Sequence, residues 1–192
     1  IQLACQKATE KNVIVVNGDT LFKINVADIF SFHLEQDAES TLSLKPMQRF
    51  DRYGVVELND KASVKEFKEK QFYENGLING GAYVLNVEKF LAKKFPSKFS
   101  FEKDYLEQYY RQGTIYGVVQ DNYFIDIGIP EDYLRAQEEL KQPPFDVHLI
   151  DKSWTLFSDR DGVLNEDKVG SYIFHPGEYV FYEGVPEAFK LF

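Results

Sequence analysis

The sequence predicts an α/β fold, and two observations indicate it. An apolar run at residues 12–16 is followed at once by a polar turn at 17–19 and a helical pattern at 24–35, which is a strand–turn–helix unit. Between residues 40 and 85, apolar and polar residues alternate as they do in half-exposed strands. The length of 192 residues allows one domain plus part of another.

The pattern of apolar and polar residues predicts the helices and strands in order along the chain. Residues 1–11 have the pattern of the end of a helix, because Leu3, Ala4 and Ala8 fall on one side. The run at 12–16 is typical of a strand buried on both faces of a parallel sheet. Later strands are predicted at 41–44, 53–58, 62–67, 77–85, 114–119 and 123–127, and helices at 87–94, 101–112 and 131–141. Pro130 stands where the first position of the last helix is expected, a position that favours proline.

A domain boundary is predicted at Gln142-Pro143-Pro144-Phe145, because two adjacent prolines cannot continue a helix and form a stiff spacer. The chain therefore divides into a first domain at 1–141, a linker at 142–153 and a second part at 154–192. It begins in one helical pattern and ends in another, at 185–192. Both parts are therefore expected to be portions of larger folds, the first one incomplete at its N-terminus.

Composition limits the classes of function. The chain has 31 acidic and 22 basic residues and a net charge of −9, so its field would repel a nucleic-acid backbone. No apolar run approaches the ~18 residues of a membrane span. The lone cysteine, Cys5, cannot form an internal disulfide, which favours a cytoplasmic protein. The aromatic residues, 16% of the chain, are interpreted first as core filling, with a base-stacking surface as the alternative.

Two aspartates, Asp19 and Asp126, each lie at the carboxyl end of a predicted strand. In open α/β sheets, ligands bind outside those ends. Two carboxylates brought together there would form a hard oxygen site suited to Mg²⁺, with water and substrate phosphates as the other ligands. The alternative is a pair of turn or helix-capping aspartates, since Asp is favoured in both positions.

Four motifs occur in a fixed order along the chain: Asn17-Gly18-Asp19-Thr20, Phe67-Lys68-Glu69-Lys70, Ile78-Asn79-Gly80-Gly81-Ala82-Tyr83, and the segment from Phe124-Ile125-Asp126 to Tyr133. Together they resemble the sugar-1-phosphate nucleotidyltransferases, from Ile1 to about Lys141. The resemblance implies a Rossmann-like mixed sheet of the nucleotide-diphospho-sugar transferase type. The Gly-rich triphosphate loop that this family carries near its N-terminus is absent from the sequence.

The resemblance also implies roles for individual residues. Asp19 and Asp126 would hold the catalytic metal, and Glu69 and Lys70 would contact the sugar and its phosphate. Further sugar contacts would come from Gly54, Asn79, Gly80 and Glu102. Transfer of a nucleotidyl group builds charge on phosphate oxygens, so catalysis depends on positioning and electrostatic stabilisation, to which Lys70 would contribute. Alternatively, Lys70 is a solvated charge at a strand end, and Glu102 is an acid in the first turn of a helix.

A second motif, Ser158-Asp159-Arg160-Asp161-Gly162, follows the apolar segment at 154–157. It resembles the first motif of haloacid-dehalogenase-type phosphatases, most closely the histidinol-phosphate and heptose-bisphosphate branch. The resemblance implies that Asp159 is the nucleophile, that Asp161 is the general acid and base, and that both contribute to a Mg²⁺ site. The later motifs of that family are absent. The alternative is an acidic turn after a strand.

These observations predict part of a bifunctional enzyme of nucleotide-sugar biosynthesis. It would transfer a nucleotidyl group from a nucleoside triphosphate, with GTP favoured, to a sugar 1-phosphate of the mannose or heptose type, and would dephosphorylate a sugar bisphosphate. The isolated chain is expected to be inactive, and exposed sheet edges would favour a homo-oligomer. Two alternatives are a phosphatase alone, and a sugar-phosphate-binding or oligomerisation module without catalysis.

Overall fold

The computed structural model describes residues 1–141, 158–160, 162–168, 173 and 175–190. The chain forms two compact units, Ile1–Leu134 and Arg135–Phe192, which are treated separately here. The predicted linker at 142–153, the apolar segment at 154–157 and Asp161 lie outside the described residues.

The first unit contains a mixed sheet, as the family resemblance implies. The strands are β1 (Asn12–Val16), β2 (Thr20–Phe22), β3 (Ser40–Phe50), β4 (Val55–Leu58), β5 (Val64–Lys68), β6 (Tyr73–Asn86), β7 (Ile115–Val119) and β8 (Phe124–Asp126). Four of them form the central sheet in the order β1-β6-β3-β7. Only the β3–β7 pair in this sheet is parallel. The strands β2 and β8 form one two-stranded ladder, and β4 and β5 form another.

Most of the described helical segments are short, and only two of them reach ten residues. The segments are α1 (Gln2–Cys5), α2 (Val26–Glu35), α3 (Val87–Leu91), a π-helical turn at Phe101–Leu106, α4 (Glu107–Tyr109), a 3₁₀ turn at Tyr110–Gln112, α5 (Pro130–Glu139), a 3₁₀ turn at Pro176–Glu178 and α6 (Val185–Phe189). The helix expected at 101–112 is thus three short segments of different pitch. Pro130 begins α5, as predicted. No helix within the described ranges is long and apolar enough to cross a membrane.

The environment predicted for β1 was wrong. This strand pairs antiparallel with β6, and its residues Ile14 and Val16 are 38% and 57% exposed. Its β-branched residues favour a strand whichever way the partner runs, so the apolar run could not reveal the direction of β6. A helix was also expected soon after the turn at 17–19. Instead β2 comes first, and α2 begins at Val26, where the side chain of Asn25 accepts hydrogen bonds from the first turn.

Aromatic residues fill the core, in agreement with the first interpretation of their abundance. Tyr83, Phe90 and Tyr105 are almost completely buried. The rings of Phe90 and Tyr105 meet edge to face with their centroids 4.9 Å apart, a favourable arrangement. The same cluster contains Leu42 and Leu85 from the central strands. This packing holds the sheet against the segment at 87–110 and fixes the backbone from which the candidate site is built.

One buried histidine lies beneath the sheet. His33 on α2 is 1% exposed, with Nδ1 2.9 Å from Thr41 Oγ1 and Nε2 3.2 Å from Asn12 Oδ1. Because an amide oxygen can only accept, Nε2 is protonated and donates to Asn12 Oδ1. Burial and the positive charge of Lys89 lower the pKa of His33 to about 4, although Asp37 acts in the opposite direction.

The folded protein is therefore expected to lose stability as the pH falls from 6.5 to about 4. In that window the unfolded state binds a proton that folded His33 does not, so the free energy of unfolding falls by up to ~1.4 kcal/mol per pH unit. Urea unfolding at several pH values measures this slope. His33→Gln removes the titrating group. The difference in the free energy of unfolding between wild type and this variant should therefore become smaller as the pH falls. A difference that is constant with pH would contradict the assignment.

Candidate active site

The first unit contains a cavity of about 520 Å³. Six of the residues predicted as site residues line it: Gly54, Glu69, Lys70, Asn79, Glu102 and Asp126. Two others, Asp19 and Gly80, do not. The remaining lining residues are Asn17, Thr20, Tyr53, Val55, Val56, Phe67, Lys68, Gly81, Lys103, Leu106 and Glu107.

The two aspartates predicted as metal ligands lie side by side on the β2–β8 ladder. Thr20 is paired with Asp126, and the next amide, Ile127 N, donates to the backbone carbonyl of Asp19 over 3.0 Å. The side-chain hydroxyl of Thr20 donates to Asp19 Oδ1 over 3.2 Å. The strands are paired antiparallel, a geometry that the sequence could not reveal. They nevertheless bring backbone segments 107 positions apart together, although only Asp126 of the two aspartates lines the cavity.

The carboxylate of Asp126 is held at both oxygens. Gly128 N donates to Oδ1 over 2.8 Å, and the hydroxyl of Tyr53 donates to Oδ2 over 3.0 Å. Burial, followed by the hydrogen bond to Asp126, raises the pKa of Tyr53 to about 12. The hydroxyl of Tyr53 therefore stays protonated and remains a donor at neutral pH.

The donor set suits Mg²⁺ with few protein ligands. Among the described residues, no group of three or more His, Cys, Asp or Glu side chains could hold a metal. Mg²⁺ commonly binds through only one or two carboxylates and keeps water and substrate phosphates as its other ligands. Each oxygen of Asp126 accepts one hydrogen bond and retains a second lone pair. Asp19 and Asp126 are therefore the residues that could hold this ion.

Glu69 and Lys70 stand at the end of the β4–β5 ladder. The backbones come close here, because a Cβ on Gly54 would lie 2.5 Å from the carbonyl oxygen of Lys68. The ammonium of Lys68 is paired with Glu57, and it is thus already neutralised. Lys70 forms no such ion pair within the described part of the chain, so its charge is available to a ligand in the cavity. Glycine at position 54 is required because a Cβ there would collide with the carbonyl oxygen of Lys68 and push the two strands apart.

Asn79 is fixed inside a small hydrogen-bond network. Its Nδ2 donates to the hydroxyl of Tyr83 over 2.8 Å and to Glu102 Oε1 over 3.3 Å, and its Oδ1 accepts from Gly81 N. Burial raises the pKa of Tyr83. Because its amide is held at both ends, Asn79 orients Glu102 toward the cavity.

The two adjacent glycines have different surroundings. A Cβ on Gly80 would lie 2.4 Å from the ring of Phe22, so Gly80 makes room for the β2 side chain. Gly81 has φ +74, a conformation that favours glycine, and it contacts the side chain of Asn17. The cavity is lined by Gly81, the neighbour of the glycine that the sequence indicated.

The π-helical turn supplies one wall of the cavity. Its residues Glu102, Lys103 and Leu106, and the following Glu107, all line the cavity. A wider turn than that of an α-helix places residues four and five positions apart on one face, and π-helical turns are frequent at functional sites. Lys103 and Glu107 were missed in the sequence because their direction depends on this turn. Their only sequence signal was proximity to Glu102.

The second unit contains Asp159, the predicted nucleophile of the phosphatase motif. Asp159 is exposed, and its Oδ1 accepts from Arg160 N over 2.9 Å. The guanidinium of Arg160 donates to the hydroxyl of Tyr179 over 2.6 Å and to the carbonyl of Ile173 over 3.1 Å. Asp161 lies outside the described residues, so its position relative to Asp159 stays a prediction.

The segment after Asp159 makes one tight turn and then pairs with a later strand-like segment. Leu164 N donates to the carbonyl of Arg160 over 2.8 Å, which closes the turn. Glu166 N then donates to Val180 O, and Tyr182 N donates to Leu164 O. The acidic motif is therefore followed by an isolated antiparallel bridge between Asn165 and Phe181.

Comparison with known proteins identifies the first unit. The family model described as nucleotidyl transferase matches residues 1–143, which is most of the chain. The chain belongs to the nucleotidyl transferase family. The resemblance proposed from the sequence motifs is confirmed at this level.

Individual relatives of this family are more specific. The chain is 48% identical over 141 residues to a D-glycero-alpha-D-manno-heptose 1-phosphate guanylyltransferase from Aneurinibacillus thermoaerophilus, covering 73% of the chain and 61% of the relative. It is 39% identical to the enzyme of the same name from Campylobacter jejuni, covering 66% of the chain and 55% of that relative. The chain thus spans about three fifths of the length of these curated relatives.

Solved structures of this family share the fold. HddC from Yersinia pseudotuberculosis is 33% identical, with a TM-score of 0.64 over 72% of this chain and 59% of that one. A second structure of HddC, complexed with GMP-PN, gives the same values. Glucose-1-phosphate adenylyltransferase from Bacillus mycoides is more distant, at 26% identity over 76% of the chain and 42% of the relative.

Proposed function

We propose that the native protein transfers a guanylyl group from GTP to a heptose 1-phosphate. One observation carries the proposal: Lys70, which forms no ion pair with the described residues, and the fixed carboxylate of Asp126 line the same cavity in a nucleotidyl transferase chain. The 48% identity to a heptose 1-phosphate guanylyltransferase supports the choice of sugar and base. The structure of HddC complexed with GMP-PN supports a guanine nucleotide as the donor.

In this proposal the sugar phosphate lies between Lys70 and the carboxylates on the π-helical wall. Lys70 contacts the phosphate, while Glu69 and Glu102 accept hydrogen bonds from sugar hydroxyls. Asn79 holds Glu102 in place, and Gly54 and Gly81 allow the backbone to come close to the sugar. Gly80, for which a sugar contact was also predicted, contributes by accommodating Phe22 behind the site.

The reaction is an in-line displacement at the α-phosphorus of GTP. An oxygen of the sugar phosphate forms the new P–O bond, the bond between the α-phosphorus and the bridging oxygen to the β-phosphate breaks, and pyrophosphate leaves. Lys70 stabilises the charge that develops on the phosphate oxygens, as preorganised cations do. Asp19 and Asp126 would hold Mg²⁺, which supplies further positive charge beside the phosphates when bound.

Pyrophosphate release by the native full-length protein tests this function. GTP and ATP are each supplied with D-glycero-D-manno-heptose 1-phosphate, mannose 1-phosphate or glucose 1-phosphate. We expect GTP with the heptose 1-phosphate to give the highest kcat/KM. A preference for ATP with glucose 1-phosphate would indicate the specificity of the more distant glucose-1-phosphate adenylyltransferases instead. Sugar-phosphate binding without any pyrophosphate release would favour a binding module.

A second activity, removal of phosphate from a sugar bisphosphate, is proposed for the other unit. The motif at 158–162 and the exposure of Asp159 favour it. Asp159 would attack phosphorus with Mg²⁺ as the cofactor, and Asp161 would protonate the departing sugar oxygen; water would then hydrolyse the aspartyl-phosphate. In the native protein, Asp159→Asn should abolish phosphate release and leave guanylyl transfer unchanged. Phosphate release that persists in this variant would contradict the role of Asp159.

A further inference from the structure

We propose that Tyr53 is a positioning residue for the metal-binding carboxylate of Asp126. Its hydroxyl lies 3.0 Å from Asp126 Oδ2, and both residues line the cavity. Gly128 N holds the other oxygen. With one donor on each oxygen, the carboxylate plane is fixed and one lone pair of each oxygen stays free for a cation. This role of Tyr53 rests on the proposed function, since it requires Asp126 to bind the metal.

The ring of Tyr53 is held by contacts with Phe124 and Arg52. It meets the ring of Phe124 edge to face, with centroids 6.1 Å apart. Phe124 and Asp126 are two positions apart on β8, so their side chains point to the same face of the strand. Tyr53 therefore packs against one residue of β8 and donates to the next residue on that face. The contact fixes the height of the hydroxyl above the strand.

Arg52 also contacts the ring of Tyr53. The Arg52 guanidinium lies 5.5 Å from the centroid of the Tyr53 ring and is paired with the carboxylate of Asp132. Asp132 belongs to the first turn of α5, which begins four residues after β8 ends. One short segment, residues 52–54, is thus anchored to the elements that carry Asp126.

The same segment joins the two sides of the site. Tyr53 contacts the aspartate on the metal side, and the adjacent Gly54 packs against the backbone of Lys68, two residues before Lys70. A shift of Tyr53 would therefore move the metal-binding carboxylate relative to the lysine that contacts the sugar phosphate. The geometry points to residues 52–54 as the element that sets the distance between these two groups.

Binding of Mn²⁺ to the native full-length protein, followed by electron paramagnetic resonance without nucleotide, tests this role. Removal of a group that orients a metal ligand commonly weakens metal binding by about 10–100-fold, and we expect at least about tenfold for Tyr53→Phe. Tyr109→Phe is the matched control, since it removes a tyrosine hydroxyl that bonds Lys94 O outside the cavity. Its Mn²⁺ affinity should equal that of wild type.

Two further measurements distinguish failure of the positioning role from failure of the metal site: the sugar-phosphate affinity of Tyr53→Phe and the Mn²⁺ affinity of Asp126→Asn. Affinity for sugar 1-phosphate in the presence of a chelator should not change in Tyr53→Phe, because the ring and the backbone stay in place. Unchanged Mn²⁺ affinity in Tyr53→Phe, or an equal loss of cation-free sugar-phosphate binding, would overturn the role of Tyr53. If Asp126→Asn also leaves Mn²⁺ affinity unchanged, the proposed metal site fails. If Asp126→Asn weakens Mn²⁺ binding and Tyr53→Phe does not, only the positioning role fails.

Discussion

Asp126→Asn is expected to lower the kcat of guanylyl transfer by the native full-length protein by about 1,000-fold. The substitution keeps the size of the side chain and leaves an oxygen for Gly128 N or the Tyr53 hydroxyl. It removes the negative charge through which the site would hold Mg²⁺. Positive charge beside the phosphates would then be lost in the transition state, so kcat should fall more than the affinity for the sugar. Initial rates of pyrophosphate release measure the effect.

Asp121→Asn is the matched control for this prediction. Asp121 precedes β8 and is paired with Lys45, and its side chain is 75% exposed and does not line the cavity. The rate of this variant should equal that of wild type. Equal rates for Asp126→Asn and wild type would contradict the placement of the reaction in this cavity.

Gly54→Ala is expected to reduce kcat/KM for the sugar 1-phosphate by about 100-fold, because a displacement of the order of 1 Å can have that effect. The new Cβ would lie 2.5 Å from Lys68 O, so the backbone of the β4–β5 ladder must separate. Glu69 and Lys70 follow directly and would move with it. The thermal midpoint should also fall, since the introduced atom has no space.

The control for this variant is Gly177→Ala, where a Cβ would meet nothing within 4 Å. It should change neither the thermal midpoint nor the kinetics of guanylyl transfer. A second comparison uses phosphate-free sugar as a competitor: if Lys70 is displaced in Gly54→Ala, affinity for the sugar phosphate should fall more than affinity for the sugar. Wild-type kinetics in Gly54→Ala would show that the strands can separate without moving the site.

Local patterns were sufficient to predict most strands, whereas the mixed sheet was implied only by the family resemblance. The alternation between residues 40 and 85 and the apolar run at 12–16 both correspond to strands in the structure. The direction of β1 could not be predicted, because it depends on pairing with β6, about 70 positions later in the chain. The short strand β2 was missed for the same reason: its three residues are ordered by β8.

Some residues of the candidate site could be predicted from the sequence, and others could not. Motif residues such as Glu69, Lys70 and Asp126 could be selected because their residue types and order carry the resemblance. Tyr53 has no such signal apart from its place before Gly54, and its importance depends on a contact across 73 positions. Which of two adjacent glycines faces the cavity depends on backbone angles and on the packing of Phe22, which the sequence does not specify.

A crystal structure of the native protein with a heptose 1-phosphate tests the central claim most directly. We expect the phosphate to lie within hydrogen-bond distance of Lys70 Nζ. The sugar hydroxyls should contact the carboxylates of Glu69 and Glu102. The reacting oxygen should face the side of the cavity that Asp126 lines. A sugar phosphate bound elsewhere, or bound here with its phosphate directed away from Lys70, would contradict the proposed site.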